Sequence, residues 1–187
     1  PPHMFTEEEK RACQQVLAQT NIAQSAMGTA DLAMLHLLED FGIRPDMVAG
    51  HSYGEYVALC TAGVMSEEDL ITLSEARGRL IVEAAGSEPG TMAAVNAGAR
   101  EVSTALQGMQ GIEIANLNAP QQTVISGPRA AVHEAVQQLK TLNIPAQLIR
   151  VSCAFHSSIV APASAKLAEL LSRMVIDKPR LTVFSNT

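Results

Sequence analysis

Met47-Val48-Ala49-Gly50-His51-Ser52-Tyr53-Gly54-Glu55-Tyr56-Val57-Ala58-Leu59-Cys60 carries a short apolar run into a glycine-flanked serine and then into a helix-forming segment. In that setting Gly-x-Ser-x-Gly reads as a nucleophile elbow, a sharp strand-to-helix turn with the serine at its tip. Both glycines are expected because a side chain at either place would strike the neighbouring backbone. Ser52 then stands at a helix N-terminus, where the dipole and the free N–H groups of the first turn favour negative charge. The Tyr53 N–H is placed to help hold an oxyanion there. Pro45-Asp46 marks the loop that feeds the strand. The pattern alone also fits an ordinary βα turn with an incidental serine; its flanks favour the elbow.

The chain of 187 residues has room for one large domain, or one domain with a small companion, around a sizeable core. Hydrophobic residues make up 47% while aromatics are only 3% and Trp is absent, so the core must be built from Ala, Leu, Val, Ile and Met. A net charge of −6 without any basic cluster argues against nucleic acid or an anionic membrane as partner. Cys13, Cys60 and Cys153 are too few and too scattered for a disulfide framework or a metal site. Neither a signal peptide nor an apolar run of about 20 residues is found, so a soluble cytoplasmic protein is expected.

Pro1 to Phe5 reads as irregular, and Thr6 as the N-cap of a helix opened by Glu7-Glu8-Glu9. Between Asn21 and Phe41 the recurrence of Ile22, Ala26, Ala30, Ala33, Leu37 and Leu38 predicts a long buried helix ending near Gly42, on which Gln24 is a polar residue in apolar company; from pattern alone its ordinary reading is a solvent-facing glutamine. The helix after the elbow should end at Ala62-Gly63, and Ser66-Glu67-Glu68-Asp69 opens another that carries Arg77-Gly78-Arg79. Paired arginines on a helix are more often solvated than functional.

Ser87-Glu88-Pro89-Gly90 breaks the pattern. Beyond it the segments read as strand 92–96, helix 100–106, strand 112–116, strand 123–126, helix 129–142 and strand 146–151. Asn118-Ala119-Pro120 supplies the turn between the second and third of these strands. The order βαββαβ is the ferredoxin-like arrangement. A loop Ser152–Ser158, a helix from Ala163 to Met174 and a strand over Leu181–Thr187 follow. That last strand has no closing element after it, so the chain is expected to be part of a longer one. The fold class is therefore α/β: a hydrolase-like parallel-sheet portion over 1–89 and 152–187, with a ferredoxin-like subdomain inserted at 90–151.

An elbow serine needs a base, because its hydroxyl is a weak nucleophile at neutral pH. Of the five histidines, His3 lies in the irregular start, His36 and His133 lie on helices, and His51 neighbours the serine around a turn that points their side chains apart. His156, in a loop after a strand with mostly small residues about it, is preferred. A histidine merely packed in that loop is the competing reading.

Gly50-His51-Ser52-Tyr53-Gly54-Glu55, Arg77 on the helix beyond, and Ala154-Phe155-His156-Ser157 after a ferredoxin-like insert together resemble the malonyl-CoA:acyl carrier protein transacylase family. Within that family the chain is most similar to acyltransferase domains of polyketide synthases and polyunsaturated fatty acid synthases, over nearly its whole length. The resemblance implies ping-pong transfer of malonyl from coenzyme A to Ser52 and then to the phosphopantetheine thiol of an acyl carrier protein, with no bound metal or redox cofactor. It implies that His156 is the acid and base and that Arg77 holds the malonyl carboxylate through its planar fork, leaving Arg79 solvated. It further puts Gln24, His51, Asn118 and Phe155 around the acyl pocket, and implies neighbouring synthase domains such as a ketosynthase.

Phe155 matches the family's His-Ala-Phe-His pattern for malonyl, where the phenyl ring crowds out an α-methyl group; one methyl is worth about 1–3 kcal/mol of discrimination. Here the pattern reads Cys153-Ala154-Phe155-His156, with cysteine in place of the first histidine. The family's opening strand and Gly-Gln-Gly loop, and its segment beyond the last strand, have no counterpart in this sequence. Loss of one oxyanion donor costs about a hundred- to a thousand-fold in rate, so weak activity is expected of the chain as given. Two further readings stay open: a serine esterase or thioesterase built on the same elbow, and a non-catalytic module that docks carrier proteins.

Overall fold

The computed structural model describes residues 6–186; the irregular start over Pro1–Phe5, His3 within it, and Thr187 lie outside the described residues. The chain forms two compact units, one reaching Leu80 and resuming at Lys166, the other Ile81–Ala165.

In the first unit, Thr6 caps α1 (Glu7–Leu17) in a full capping box with Glu9. Helix α2 (Thr20–Asp40) precedes strand β1 (Met47–Ala49), the elbow and α3 (Gly54–Thr61). At the start of α4 (Glu67–Ala85), Ser66 Oγ accepts from the Asp69 N–H at 3.0 Å, satisfying one of the first-turn donors that a helix leaves open. Helix α7 (Ala163–Leu171) starts in the second unit and ends in the first, short of the expected Met174. Strand β6 (Thr182–Phe184) lies parallel to β1, with Val48 opposite Val183. Leu32, Cys60, Met65, Leu70 and Leu73 form the core of this unit.

Helix α2 differs from the expectation in which face it buries. Its buried positions are Thr20, Gln24, Gly28 and Leu32, a stripe at every fourth residue, while Leu37 is 51% and Leu38 42% exposed. The cause is close helix packing. A Cβ at Gly78 of α4 would lie 2.6 Å from the Thr20 carbonyl oxygen and 2.9 Å from Asn21 Cα, so α4 approaches α2 on the small, polar face that hydropathy alone passes over.

The second unit holds β2 (Thr91–Val95), α5 (Ala99–Ala105), β3 (Glu113–Ala119), β4 (Gln122–Gly127), α6 (Arg129–Thr141) and β5 (Ala146–Ile149). The sheet order is β3-β4-β2-β5 with every neighbouring pair antiparallel, the ferredoxin-like topology. Val132, Ala135, Val136 and Leu139, at helical spacing on α6, pack with Ala93, Val95 and Ile125 of the central strands. Asn118 and Ala119 belong to β3 and not to the turn: Ala119 pairs with Gln122, leaving Pro120-Gln121 as a two-residue connection. Proline suits that place because it has no N–H to offer a ladder.

Candidate active site

The elbow is built as its sequence requires, with one exception. Ser52 has φ 51, a left-handed conformation that a residue with a Cβ adopts only where its surroundings impose it, at a cost of about 1–3 kcal/mol. A Cβ at Gly50 would lie 2.1 Å from the carbonyl carbon and oxygen of Gly54, so this glycine is obligatory. Gly54 is not: an added Cβ there meets nothing within 4 Å among the described residues, because α3 leads it away from the turn. The Gly54 N–H returns to His51 O at 2.9 Å and the Glu55 N–H to Ser52 O at 3.2 Å. The Tyr53 N–H between them donates to no acceptor among the described residues.

Two further contacts brace this turn. Asn186 Nδ2 donates to Gly50 O, and Glu55 Oε1 accepts from the Asn186 N–H at 2.8 Å and from Ser185 Oγ at 3.1 Å. Glu55 also lies in the first turn of α3, where a carboxylate is favoured by the helix dipole. Below the turn, Tyr53 is buried and its hydroxyl lies 2.6 Å from Ser74 Oγ, which itself donates to Leu70 O at 2.6 Å. Burial pushes the Tyr53 phenol above its ordinary pKa, opposed by the Ser74 hydrogen bond. Burial likewise pushes the Cys60 thiol on α3 up to about 11, which keeps it protonated and unreactive.

Arg77, half-buried on α4, donates from Nη1 to Gln24 Oε1 at 2.7 Å, and its guanidinium lies over the Tyr56 ring, 5.4 Å from the centroid. Gln24 is only 3% exposed, which overturns its reading as a solvent-facing helix residue. An amide oxygen fixes one edge of the guanidinium without neutralising it, and Tyr56 supports the plane. No carboxylate among the described residues forms an ion pair with Arg77. Arg79 instead meets Glu75 at 3.5 Å on the exposed face, as expected of a solvated arginine. His51 is exposed beside the turn.

The second unit carries Asn118, Phe155 and His156. Asn118 is exposed on the edge strand β3, Phe155 is half-buried, and His156 is exposed with φ 56, again left-handed. Of the other histidines, His133 is exposed on α6. His36 on α2 meets Glu67 at 2.9 Å and Glu39 at 3.7 Å, and the Glu67 hydrogen bond raises its pKa. Tyr56, Glu55, Ser74 and Asn186 were not singled out from the sequence. Only Glu55, an acid in the first turn after the elbow, left a local signal.

The family described as Acyl transferase domain matches residues 6–187. The mycoketide-CoA synthase of Mycobacterium tuberculosis is 37% identical over 171 residues, covering 91% of this chain and 4% of that protein. Among solved structures, the malonyl CoA-acyl carrier protein transacylase of Coxiella burnetii superposes with a TM-score of 0.85 at 37% identity, over 93% of this chain and 57% of that one. A malonyl-transacylase in complex with the holo acyl-carrier protein of a type II polyketide synthase superposes with a TM-score of 0.85 at 31% identity, over 93% and 58%. The chain thus spans a small fraction of the synthase and somewhat over half of the two transacylases. The matched residues include Ser52, the parallel β1–β6 pair up to Phe184 and the four-stranded antiparallel sheet, and the chain belongs to the acyl transferase domain family.

Proposed function

We propose that the chain performs acyl transfer, moving malonyl from coenzyme A through an ester on Ser52 to the phosphopantetheine thiol of an acyl carrier protein. The observation that carries this reading is the pairing, in one unit, of a serine held left-handed at a helix N-terminus with an arginine braced by Gln24 and Tyr56 and unpaired with any described carboxylate. Ester hydrolysis has no use for such an arginine; a malonyl thioester presents the carboxylate that it would bind.

In this reading Ser52 Oγ attacks the thioester carbonyl as its proton passes to His156. The Tyr53 N–H receives the oxyanion, and collapse expels the coenzyme A thiolate, which takes the proton from His156. The carrier thiol then gives its proton to His156 and attacks the Ser52 ester, and the departing serine oxygen is reprotonated. Arg77 binds the malonyl carboxylate throughout, with Gln24, His51, Asn118 and Phe155 about the acyl group. The chemistry uses two thioester carriers and no bound cofactor. The catalytic portion is 1–89 with 152–187, following element order, and 90–151 is the insert. The solved complex of a malonyl-transacylase with its carrier protein supports the acceptor, and the mycoketide-CoA synthase, of which this chain covers 4%, supports a larger synthase; a ketosynthase as neighbouring domain belongs to the same reading. Among the described residues no helix is long and apolar enough to cross a membrane, which suits a cytoplasmic setting.

The test mixes the protein with malonyl-CoA, quenches in acid and measures intact mass. One malonyl group gained by the protein and absent from Ser52→Ala is expected. No adduct, or free malonate released without a carrier protein, would overturn transfer by this chain.

A further inference from the structure

We propose that Glu113 is a positioning residue for His156, an inference that rests on His156 being the proton carrier of the reading above. His156 has φ 56, a left-handed conformation uncommon for a residue with a side chain, which the contacts of its loop help to hold. On the N-terminal side, the Ala154 N–H donates to Pro89 O at 2.7 Å, and Ala154 itself is 0% exposed. The Phe155 N–H turns back to Cys153 O at 3.1 Å, and Ser157 Oγ donates to Ala154 O at 2.6 Å. A Cβ at Gly90 would lie 2.7 Å from Ala154 Cβ and 3.0 Å from Ile159 Cδ1, so the loop sits directly on that glycine.

The segment after the histidine has a further anchor, on the sheet. Both the N–H and the hydroxyl of Ser158, two residues on, donate to Glu113 Oε1, at 2.9 and 2.6 Å. Glu113 opens β3, where its backbone is paired with Ser126 of β4, so the acceptor is fixed to the sheet. Two donors converging on one ionised oxygen make the strong class of hydrogen bond. Without that oxygen both Ser158 donors turn to water, and the segment after His156 keeps its Ser157 and Ile159 contacts but loses its tether to β3. Glu113 therefore acts through Ser158 and does not itself take part in the reaction.

The test compares Glu113→Ala, Glu113→Gln, the control Glu134→Ala on exposed α6, and His156→Ala. Its two readouts are the rate of Ser52 acylation by malonyl-CoA and the ring ¹H–¹⁵N signals of His156. Glu113→Ala should slow acylation about 10- to 100-fold at saturating malonyl-CoA, with KM unchanged, because misplacing a proton carrier costs rate and not ground-state binding. Glu113→Gln keeps an oxygen that accepts both donors and should recover to within about 3-fold of wild type. The His156 ring signals should move in Glu113→Ala and stay in place in Glu113→Gln and the control. Wild-type acylation by Glu113→Ala, or equal damage in Glu113→Gln, overturns the proposal. If His156→Ala acylates as fast as wild type, the proton-carrier reading falls; unmoved ring signals in Glu113→Ala would then overturn the positioning role separately.

Discussion

Arg77 Nη1 donates to Gln24 Oε1 across 2.7 Å although 53 residues separate them. The contact exists because Gly78, the next residue, lets α4 press against Thr20, one turn before Gln24 on α2. A neutral partner orients the guanidinium without neutralising its charge, as the proposed carboxylate-binding role requires. If the partner were a carboxylate, the charge would already be spent. Replacing Arg77 by Ala should lower kcat/KM for malonyl-CoA about 10- to 100-fold, the worth of a hydrogen bond to a charged group, while sparing or raising transfer of acetyl. Steady-state rates with the two thioesters check this, and unchanged malonyl kinetics would remove the carboxylate-binding role.

The two glycines of the elbow should answer to alanine with opposite signs. Gly50→Ala places a methyl 2.1 Å from the Gly54 carbonyl and should cost about 3 kcal/mol or more, since backbone has to move to admit it. Gly54→Ala puts a methyl where nothing among the described residues lies within 4 Å, at the first residue of α3 and without a positive φ, and should be neutral or stabilising by up to about 1 kcal/mol. Urea midpoints of the two variants decide it.

The order of elements was readable because each carries its own local signal: the capping residues of α1 and α4, the short, mostly buried runs of β2 and β4, the helical stripe of α6. The elbow was readable because a tight turn constrains adjacent residues. The burial of Gln24, which the resemblance implied and helical pattern alone did not, was illegible locally for the opposite reason. Its burial is set by a helix half the domain away in sequence, and the packing face is marked by small residues, Gly28 and Gly78, that carry no hydropathy. Glu55 meeting Asn186 and Glu113 meeting Ser158 are likewise pairings at a distance, and a single sequence holds no trace of which exposed acid has a partner.

Tyr53 and Ser74 should differ sharply in what their loss costs. Ser74 Oγ donates to Leu70 O, so its hydrogen goes there and it accepts from the Tyr53 hydroxyl. Tyr53→Phe leaves Ser74 with its own donor still satisfied and should cost about 1 kcal/mol. Ser74→Ala strands a buried phenol donor beneath the elbow and should cost about 1–3 kcal/mol, the desolvation penalty of an unpaired group. Denaturation midpoints should therefore fall further for Ser74→Ala, although each substitution removes a single hydroxyl; the reverse order would show that the hydrogen runs the other way.

His36 ties α2 to the first turn of α4 through Glu67, with Glu39 and Asp40 also favouring its charged form. Because the folded-state pKa is raised above 6.5, the native state binds the proton more tightly than the unfolded chain. That contribution is fully present below about pH 6.5, declines as pH rises through the folded value, and is gone above it. The pair is exposed, so added salt should weaken it. Comparing urea midpoints of wild type and His36→Gln at pH 6 and at pH 8.5, about half a unit below and two units above the unperturbed value, should show a gap that narrows with rising pH. A gap of constant size would place the role of His36 in packing of the neutral ring and not in the imidazolium–carboxylate contact.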